Sequence, residues 1–163
     1  MPLIRPATLA DLTAITEIYN EAILTTTGTF DTEPKTVIER QAWFEAHGPR
    51  QPILVAEWQG QIVGWASLSK WSDRLAYADT AEISLYVYAI YRGQGIGKKL
   101  MTAIVEAGQQ AGLHTVIARI ASGNEASIRL HQLGGFVEIG VMREVGRKFD
   151  QLLDIHLMQK IYD

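Results

Sequence analysis

The sequence predicts an α+β protein: a single mixed, mostly antiparallel twisted sheet flanked by about four helices. Two kinds of periodicity carry this reading, helical spacing of apolar residues in four separated segments and strict alternation in several short ones. A third observation is their order. Two helices precede a hairpin, then come strand, helix, strand, helix and two late strands, which is not the regular βαβ alternation of a doubly wound sheet. No internal repeat or linker interrupts the 163 residues, so one domain is expected over 1–163.

LIRPAT opens the chain as a short strand, and Thr8 with Asp11 three residues on is a helix start signal. Leu12, Ile15, Ile18, Tyr19, Ala22 and Ile23 then recur on one helical face. Gly28 and Pro34 break the chain before a second capping box, Thr36 with Glu39, which starts a helix running toward His47. Ile53 to Trp58 and Ile62 to Leu68 read as two strands joined by Gln59-Gly60-Gln61, an antiparallel hairpin. Ala81, Ile83, Leu85, Val87 and Ala89 alternate with Glu82, Ser84, Tyr86 and Tyr88, the signature of a central strand. After GQGIGKKL, Leu100, Met101, Ile104 and Val105 mark a helix that Gly112 ends. TVIARIA is a further strand, Asn124 caps the helix ASIRLHQL, Gly134-Gly135 stops it, and FVEIGVM and LLDIHLM close the sheet.

Composition narrows the function. Lys plus Arg number 15 against 18 Asp plus Glu, a net charge of −3, which argues against general attraction to nucleic acid or anionic membrane. The absence of Cys removes disulfide, thiolate-nucleophile and Cys-zinc chemistry and points to the cytoplasm. Neither a signal-like start nor a membrane-length apolar run is present. His47, His114, His131 and His156 lack metal-ligand spacing, so no metal is expected.

The chemistry concentrates where the alternating strand meets Arg92-Gly93-Gln94-Gly95-Ile96-Gly97. Glycines at a helix N-terminus expose backbone amides that can cradle a pyrophosphate, and Arg92, Lys98 and Lys99 add full positive charge. A P-loop is rejected because Lys99 follows Gly97-Lys98 and Arg92 stands five before Gly97. The dinucleotide fingerprint fails as well, with Lys98 in place of its third Gly and Ala118-Arg119 where an acid is required.

Arg/Gln-x-x-Gly-x-Gly/Ala after a central strand resembles the pyrophosphate loop of the GNAT superfamily of acetyl-CoA-dependent N-acetyltransferases, and Asn124-x-x-Ser127-x-x-Leu130-His131 before Gly135-Phe136 resembles its second cofactor segment. Many members carry Tyr where His131 stands. Asp31-Thr32-Glu33-Pro34, Arg74-Leu75-Ala76-Tyr77, Thr80-Ala81-Glu82, Val145-Gly146-Arg147-Lys148-Phe149 and Asp154 are similar to the phosphinothricin and methionine sulfoximine acetyltransferase subgroup, in which His131 is normal. Leu152 departs from it, since relatives often have Trp there. The resemblance covers nearly the whole chain and implies the GNAT fold, acetyl-CoA as cosubstrate, a homodimer, and transfer to the α-amino group of a small amino-acid-like substrate by direct attack on the thioester.

The residues that the resemblance implies for acetyl-CoA are Val87, Tyr88, Ala89, Arg92, Gly93, Gln94, Gly95, Ile96, Gly97, Lys98, Asn124, Ser127 and His131, with Val87 supplying the oxyanion amide. Phe30, Arg74, Tyr77, Glu82, Tyr86 and Lys148 are expected at the substrate, Arg74 beside Tyr77 offering a guanidinium fork and a phenol to an anionic group. Amine attack needs a base, and Glu82 shares a strand face with Ser84, Tyr86 and Tyr88. Five residues separate it from Val87, roughly 16 Å along an ideal strand, which favours a water relay over direct abstraction. His131 is read as the acid for the departing thiolate, as a group that orients the substrate amine, or as a helix histidine satisfied by a nearby carbonyl. Two other classes stay open beside the small-molecule enzyme: a peptide or protein N-acetyltransferase, and a non-catalytic acyl-CoA-binding module.

Overall fold

The computed structural model describes residues 1–163. Seven strands, β1 (Leu3–Pro6), β2 (Ile53–Trp58), β3 (Gln61–Lys70), β4 (Thr80–Val87), β5 (Thr115–Ala121), β6 (Val137–Lys148) and β7 (Gln151–Ile161), form one sheet in the order β1-β2-β3-β4-β5-β7-β6. Four helices accompany it: α1 (Leu12–Thr25), α2 (Val37–Glu45), α3 (Ile96–Gln110) and α4 (Glu125–Leu133). All neighbouring strands are antiparallel except β4 and β5. This is the expected mixed α+β architecture.

Helices pack on both faces of the sheet, because the central strands carry apolar residues at both alternating sets of positions. Val63, Leu68, Ala81, Ile83, Val116 and Met158 pack with Ile96, Leu100, Met101 and Ile104 of α3 on one side. Val55 and Trp65 pack with Ile15, Ile18, Tyr19 and Ile23 of α1 on the other. All six residues assigned to the apolar face of α1 are buried. Asp11 accepts the Thr8 N–H at 2.8 Å as expected, but the signal first produces a 3-10 turn, Leu9–Asp11, ahead of α1. Thr36 and Glu39 cap α2 reciprocally at 2.7 and 3.2 Å.

Three boundaries differ from expectation. The alternating run continues to Ala89 in sequence, yet β4 stops at Val87, where a 3-10 turn over Ala89–Tyr91 is capped by Glu21 accepting the Ala89 N–H at 2.8 Å. The closing hairpin is much longer than FVEIGVM and LLDIHLM, and it absorbs Val145 to Lys148. Asn124 sits at the N-cap position of α4, but its side chain makes no capping hydrogen bond.

One departure from regular pairing shapes the molecule. β4 and β5 pair only over Thr80–Glu82 and Thr115–Ile117, although β4 runs on to Val87 and β5 to Ala121. Beyond Glu82 the two strands diverge, and the sheet opens a cleft between its third and fourth antiparallel pairs.

Candidate active site

The cleft exposes backbone that a sheet would otherwise pair. Tyr88 N–H donates to Val63 C=O at 3.0 Å, which fixes the phase of the β3–β4 ladder. In that phase the amides of Leu85 and Val87 point away from β3, toward the side where β5 has parted. Arg92 Nε donates to the Val87 carbonyl at 3.1 Å, leaving the Val87 N–H directed at the cleft.

A cavity of about 790 Å³ follows from this divergence. Ile83 to Val87 form one wall, Arg119 to Ala121 the other, and Asn124, Ser127 and His131 of the α4 segment stand opposite the turn into α3. Gly93 and Gly95 build that turn because their φ of +78° and +83° lie in the left-handed region that side chains rarely adopt, and the space beside both is open. Gly95 is the N-cap of α3, so the first-turn amides of Ile96, Gly97 and Lys98 have no helical acceptor and carry the positive end of the helix dipole. An anionic pyrophosphate fits this cradle on charge, donor count and free space.

The sequence-derived cofactor residues divide under this geometry. Val87, Arg92, Gly93, Gly95, Ile96, Gly97, Lys98, Asn124, Ser127 and His131 line the cavity. Tyr88, Ala89 and Gln94 do not. The Tyr88 amide is bound to Val63, its hydroxyl donates to Glu17 at 3.1 Å, and the Ala89 amide is held by Glu21, so both residues are engaged within the protein. Ile96 buries its side chain in the core and offers only backbone.

His131 is buried, and its Nδ1–H donates to the Ser127 carbonyl at 2.7 Å, which leaves Nε2 of the neutral ring as an acceptor. Burial holds its pKa below the usual histidine value, against a smaller upward pull from that carbonyl. At neutral pH the ring therefore carries a lone pair at Nε2, the geometry of a satisfied helix histidine.

A second cavity, about 480 Å³, adjoins the first and shares Thr27, Gly28, Ile83, Ser84, Tyr86, Arg119 and Ala121 with it. Of the residues expected at the substrate, Phe30, Glu82 and Tyr86 line it; Arg74, Tyr77 and Lys148 do not. Arg74 and Tyr77 lie on an exposed 3-10 turn before β4. Lys148 is 5% exposed, and its Nζ donates to the Thr29 carbonyl at 2.8 Å, with its pKa pulled down by burial. It is a strut between the β6–β7 hairpin and the loop after α1, not an open cation. Gly146 serves the same junction, since a Cβ there would collide with the Phe30 ring.

Glu82 has a partner that the sequence reading did not assign. Arg119 grips both carboxylate oxygens, Nε at 2.5 Å and Nη2 at 2.7 Å. Parallel register explains the meeting, because Glu82 is opposite Ile117 and Arg119 is two residues on along the same face. The signal was present: Arg119 is the one charged residue in TVIARIA. The Glu82 carboxylate raises the Arg119 pKa, chiefly through these hydrogen bonds.

Tyr19 and Asp31, also missed, form the far wall. The Tyr19 hydroxyl donates to Asp31 and lies 3.0 Å from Thr29 Oγ1, and burial pushes its pKa up to about 12. Behind it, Arg40 stacks over the rings of Trp43 and Tyr19 at 3.6 and 4.6 Å, buried without a carboxylate, its pKa lowered by burial to about 10. No three His, Asp or Glu side chains gather as a metal-binding group.

Known proteins resemble this chain in sequence and in fold. The profile of the acetyltransferase (GNAT) family matches residues 15–136. An L-methionine sulfoximine/L-methionine sulfone acetyltransferase of Pseudomonas paraeruginosa is 42% identical over 158 residues, covering 96% of this chain and 92% of the relative. A phosphinothricin N-acetyltransferase of Streptomyces coelicolor is 39% identical over 156 residues, covering 93% and 91%. The structure of yncA from Salmonella typhimurium with its cofactor acetyl-CoA superposes with a TM-score of 0.96 at 39% identity, covering 99% of this chain and 94% of that one.

Proposed function

The chain belongs to the acetyltransferase (GNAT) family, and from that premise we propose that it transfers an acetyl group from acetyl-CoA to the α-amino group of a small amino acid of the methionine sulfoximine, methionine sulfone or phosphinothricin type. The observation that carries the reading is the meeting of two cavities along β4, one ending at the amide of Val87 and the other holding Glu82. Acetyl-CoA supplies the activated acetyl group as a thioester.

The chain's own residues do the rest. Amides from Gly93 to Lys98, with Arg92 and Lys98, hold the pyrophosphate at the α3 N-terminus. Unpaired backbone of β4 accepts the amide-bearing pantetheine arm as a substitute strand, opposite Asn124 and Ser127. The Val87 N–H donates to the thioester oxygen as negative charge develops there. Glu82 draws a proton from the ammonium through an ordered water, because it stands well down the strand from Val87. His131, neutral with Nδ1 on Ser127, presents Nε2 as an acceptor for the substrate amine, so proton delivery to the thiolate falls to water or the amine itself. Phe30 and Tyr86 line the amine cavity, whose volume of about 480 Å³ suits a small amino acid.

A homodimer agrees with this reading. Val137, Ile139 and Val141 are exposed on the edge strand β6, apolar surface that a second copy would cover. No helix is long and apolar enough to cross a membrane; a cytoplasmic enzyme is proposed from the lack of Cys.

The test is a thiol-release assay over a panel of amines, with products identified by mass. L-Methionine sulfone, L-methionine sulfoximine and phosphinothricin should yield N-acetyl products, while peptides and polyamines should not. A protein that bound acetyl-CoA and acetylated only peptides would overturn the substrate class.

A further inference from the structure

We infer that Arg119 is the anchor for the substrate's α-carboxylate, a role that rests on the amino-acid reading above and that replaces the one expected of Arg74. Arg119 is the one Lys or Arg that lines the amine cavity, and it lines the thioester cavity as well, so it stands where the two reactants meet. Its other candidates for the task are absent from that wall. Arg74 is on an exposed turn, Lys148 is tied to Thr29, Arg40 lies behind the ring of Tyr19, and Lys35 faces Asp31 at 3.9 Å.

Donor accounting leaves Arg119 free to do it. A guanidinium has five N–H groups. Glu82 takes one from Nε and one from Nη2, so three remain, both hydrogens of Nη1 among them, on a side chain that is 50% exposed. A planar fork with two free edges can hold one carboxylate through Nε and Nη2 and receive a second through Nη1.

The pairing with Glu82 gives the anchor its specificity. An α-amino acid carries opposite charges on substituents of a single carbon. The Glu82–Arg119 ion pair presents the complementary charges side by side, anion toward the ammonium and cation toward the carboxylate. A bound zwitterion thus lies antiparallel to the pair, which places its amine on the Glu82 side, where the water relay must act. Removal of Arg119 would therefore loosen the carboxylate and free Glu82 to rotate, two losses that one kinetic comparison separates.

That comparison uses L-methionine sulfone and its carboxamide, which keeps the amine and side chain but has no anion. The wild-type protein should prefer the acid in kcat/KM by about tenfold or more, the size of one charge-assisted contact. Arg119→Ala should bring acid and carboxamide to within about twofold of each other, whatever its overall loss, and Arg119→Lys should restore only part of the preference. A role confined to holding Glu82 would slow both compounds alike and leave their ratio unchanged. The anchor is overturned if wild type accepts the carboxamide as readily as the acid, or if Arg119→Ala keeps the wild-type ratio. Acetylation of neither compound, with turnover of unrelated amines, would instead overturn the amino-acid reading itself.

Discussion

Glu82 is held at both oxygens by Arg119, yet it faces the amine cavity, and proton transfer through water asks no more of it than an open lone pair. Glu82→Gln is expected to lower kcat by about a hundredfold while leaving acetyl-CoA affinity within about twofold, as calorimetry and initial rates would show. Burial acts on the histidines in a different way. His47 and His131 are both held below the ordinary value of 6.5, so as pH falls through 6.5 the unfolded chain takes up protons that the folded chain refuses. Their contribution is complete above that value and is lost as pH falls through the folded values. Urea midpoints at about pH 7.5 and about pH 5.5 should show lower stability at the acid end, and His131→Asn should shrink the difference; an unchanged difference would remove His131 from the account. At this scale Glu82 was legible because strict alternation fixed its face, whereas Arg74 and Lys148 were assigned by resemblance and charge. Charge does not locate a side chain, and the fold turned one outward and buried the other against a carbonyl.

Elements carry the two proposed binding surfaces, and each depends on a glycine. At Gly95 the backbone is left-handed, with φ of +83°, so Gly95→Val costs about 1–2 kcal/mol in conformation and puts a branched side chain where the pyrophosphate would lie. A folded variant should show no acetyl-CoA heat by calorimetry; normal affinity would displace the cradle from the α3 turn. Gly146 instead yields space to Phe30, tying the β6–β7 hairpin to the loop after α1. Gly146→Ala should push Phe30 out of place and raise KM for the amine about tenfold while sparing acetyl-CoA affinity, a split measurable in one set of initial rates. The helices were legible because each keeps one period and ends at a recognisable signal, and the β2–β3 hairpin and β5 because short apolar runs are bounded by glycine-containing or polar turns, although a bulge between Ala56 and Glu57 interrupts the hairpin register. The closing hairpin was not. Its register shifts between Met142 and Gly146, where Glu144 adopts φ of +51° and donates its N–H to Asp154, so alternation breaks in mid-strand. Its turn places Phe149 and Asp150 at φ of +52° and +58°, and neither glycine nor asparagine announces it.

On the scale of the whole molecule, the decisive feature is the loss of pairing between β4 and β5 after Glu82 and Ile117. No local motif encodes it. β5 keeps its partner β7 along its full length, and β4 keeps β3, so each strand reads as regular in sequence although the two part from each other. The glycine loop and the Asn124 segment could be recognised as patterns, but only the opened sheet brings them to opposite sides of Val87. The charge inventory belongs to this scale too. The cavity proposed for the amine sets Arg119 against Glu82 and Asp31, one cation to two anions, a balance that would disfavour a substrate with a second anionic group. L-Methionine sulfone is expected to exceed phosphinothricin in kcat/KM by about tenfold in competition assays; the reverse order would require a cation from outside these cavity walls. Convergence of the two cavities is the central claim, and it demands that both reactants be bound at once with no acetylated enzyme between them. Initial rates measured while acetyl-CoA and L-methionine sulfone are varied together, with the intact mass of the protein after acetyl-CoA alone, test it most directly. Intersecting reciprocal plots and an unchanged mass are predicted, whereas parallel plots with a protein heavier by one acetyl group would contradict it.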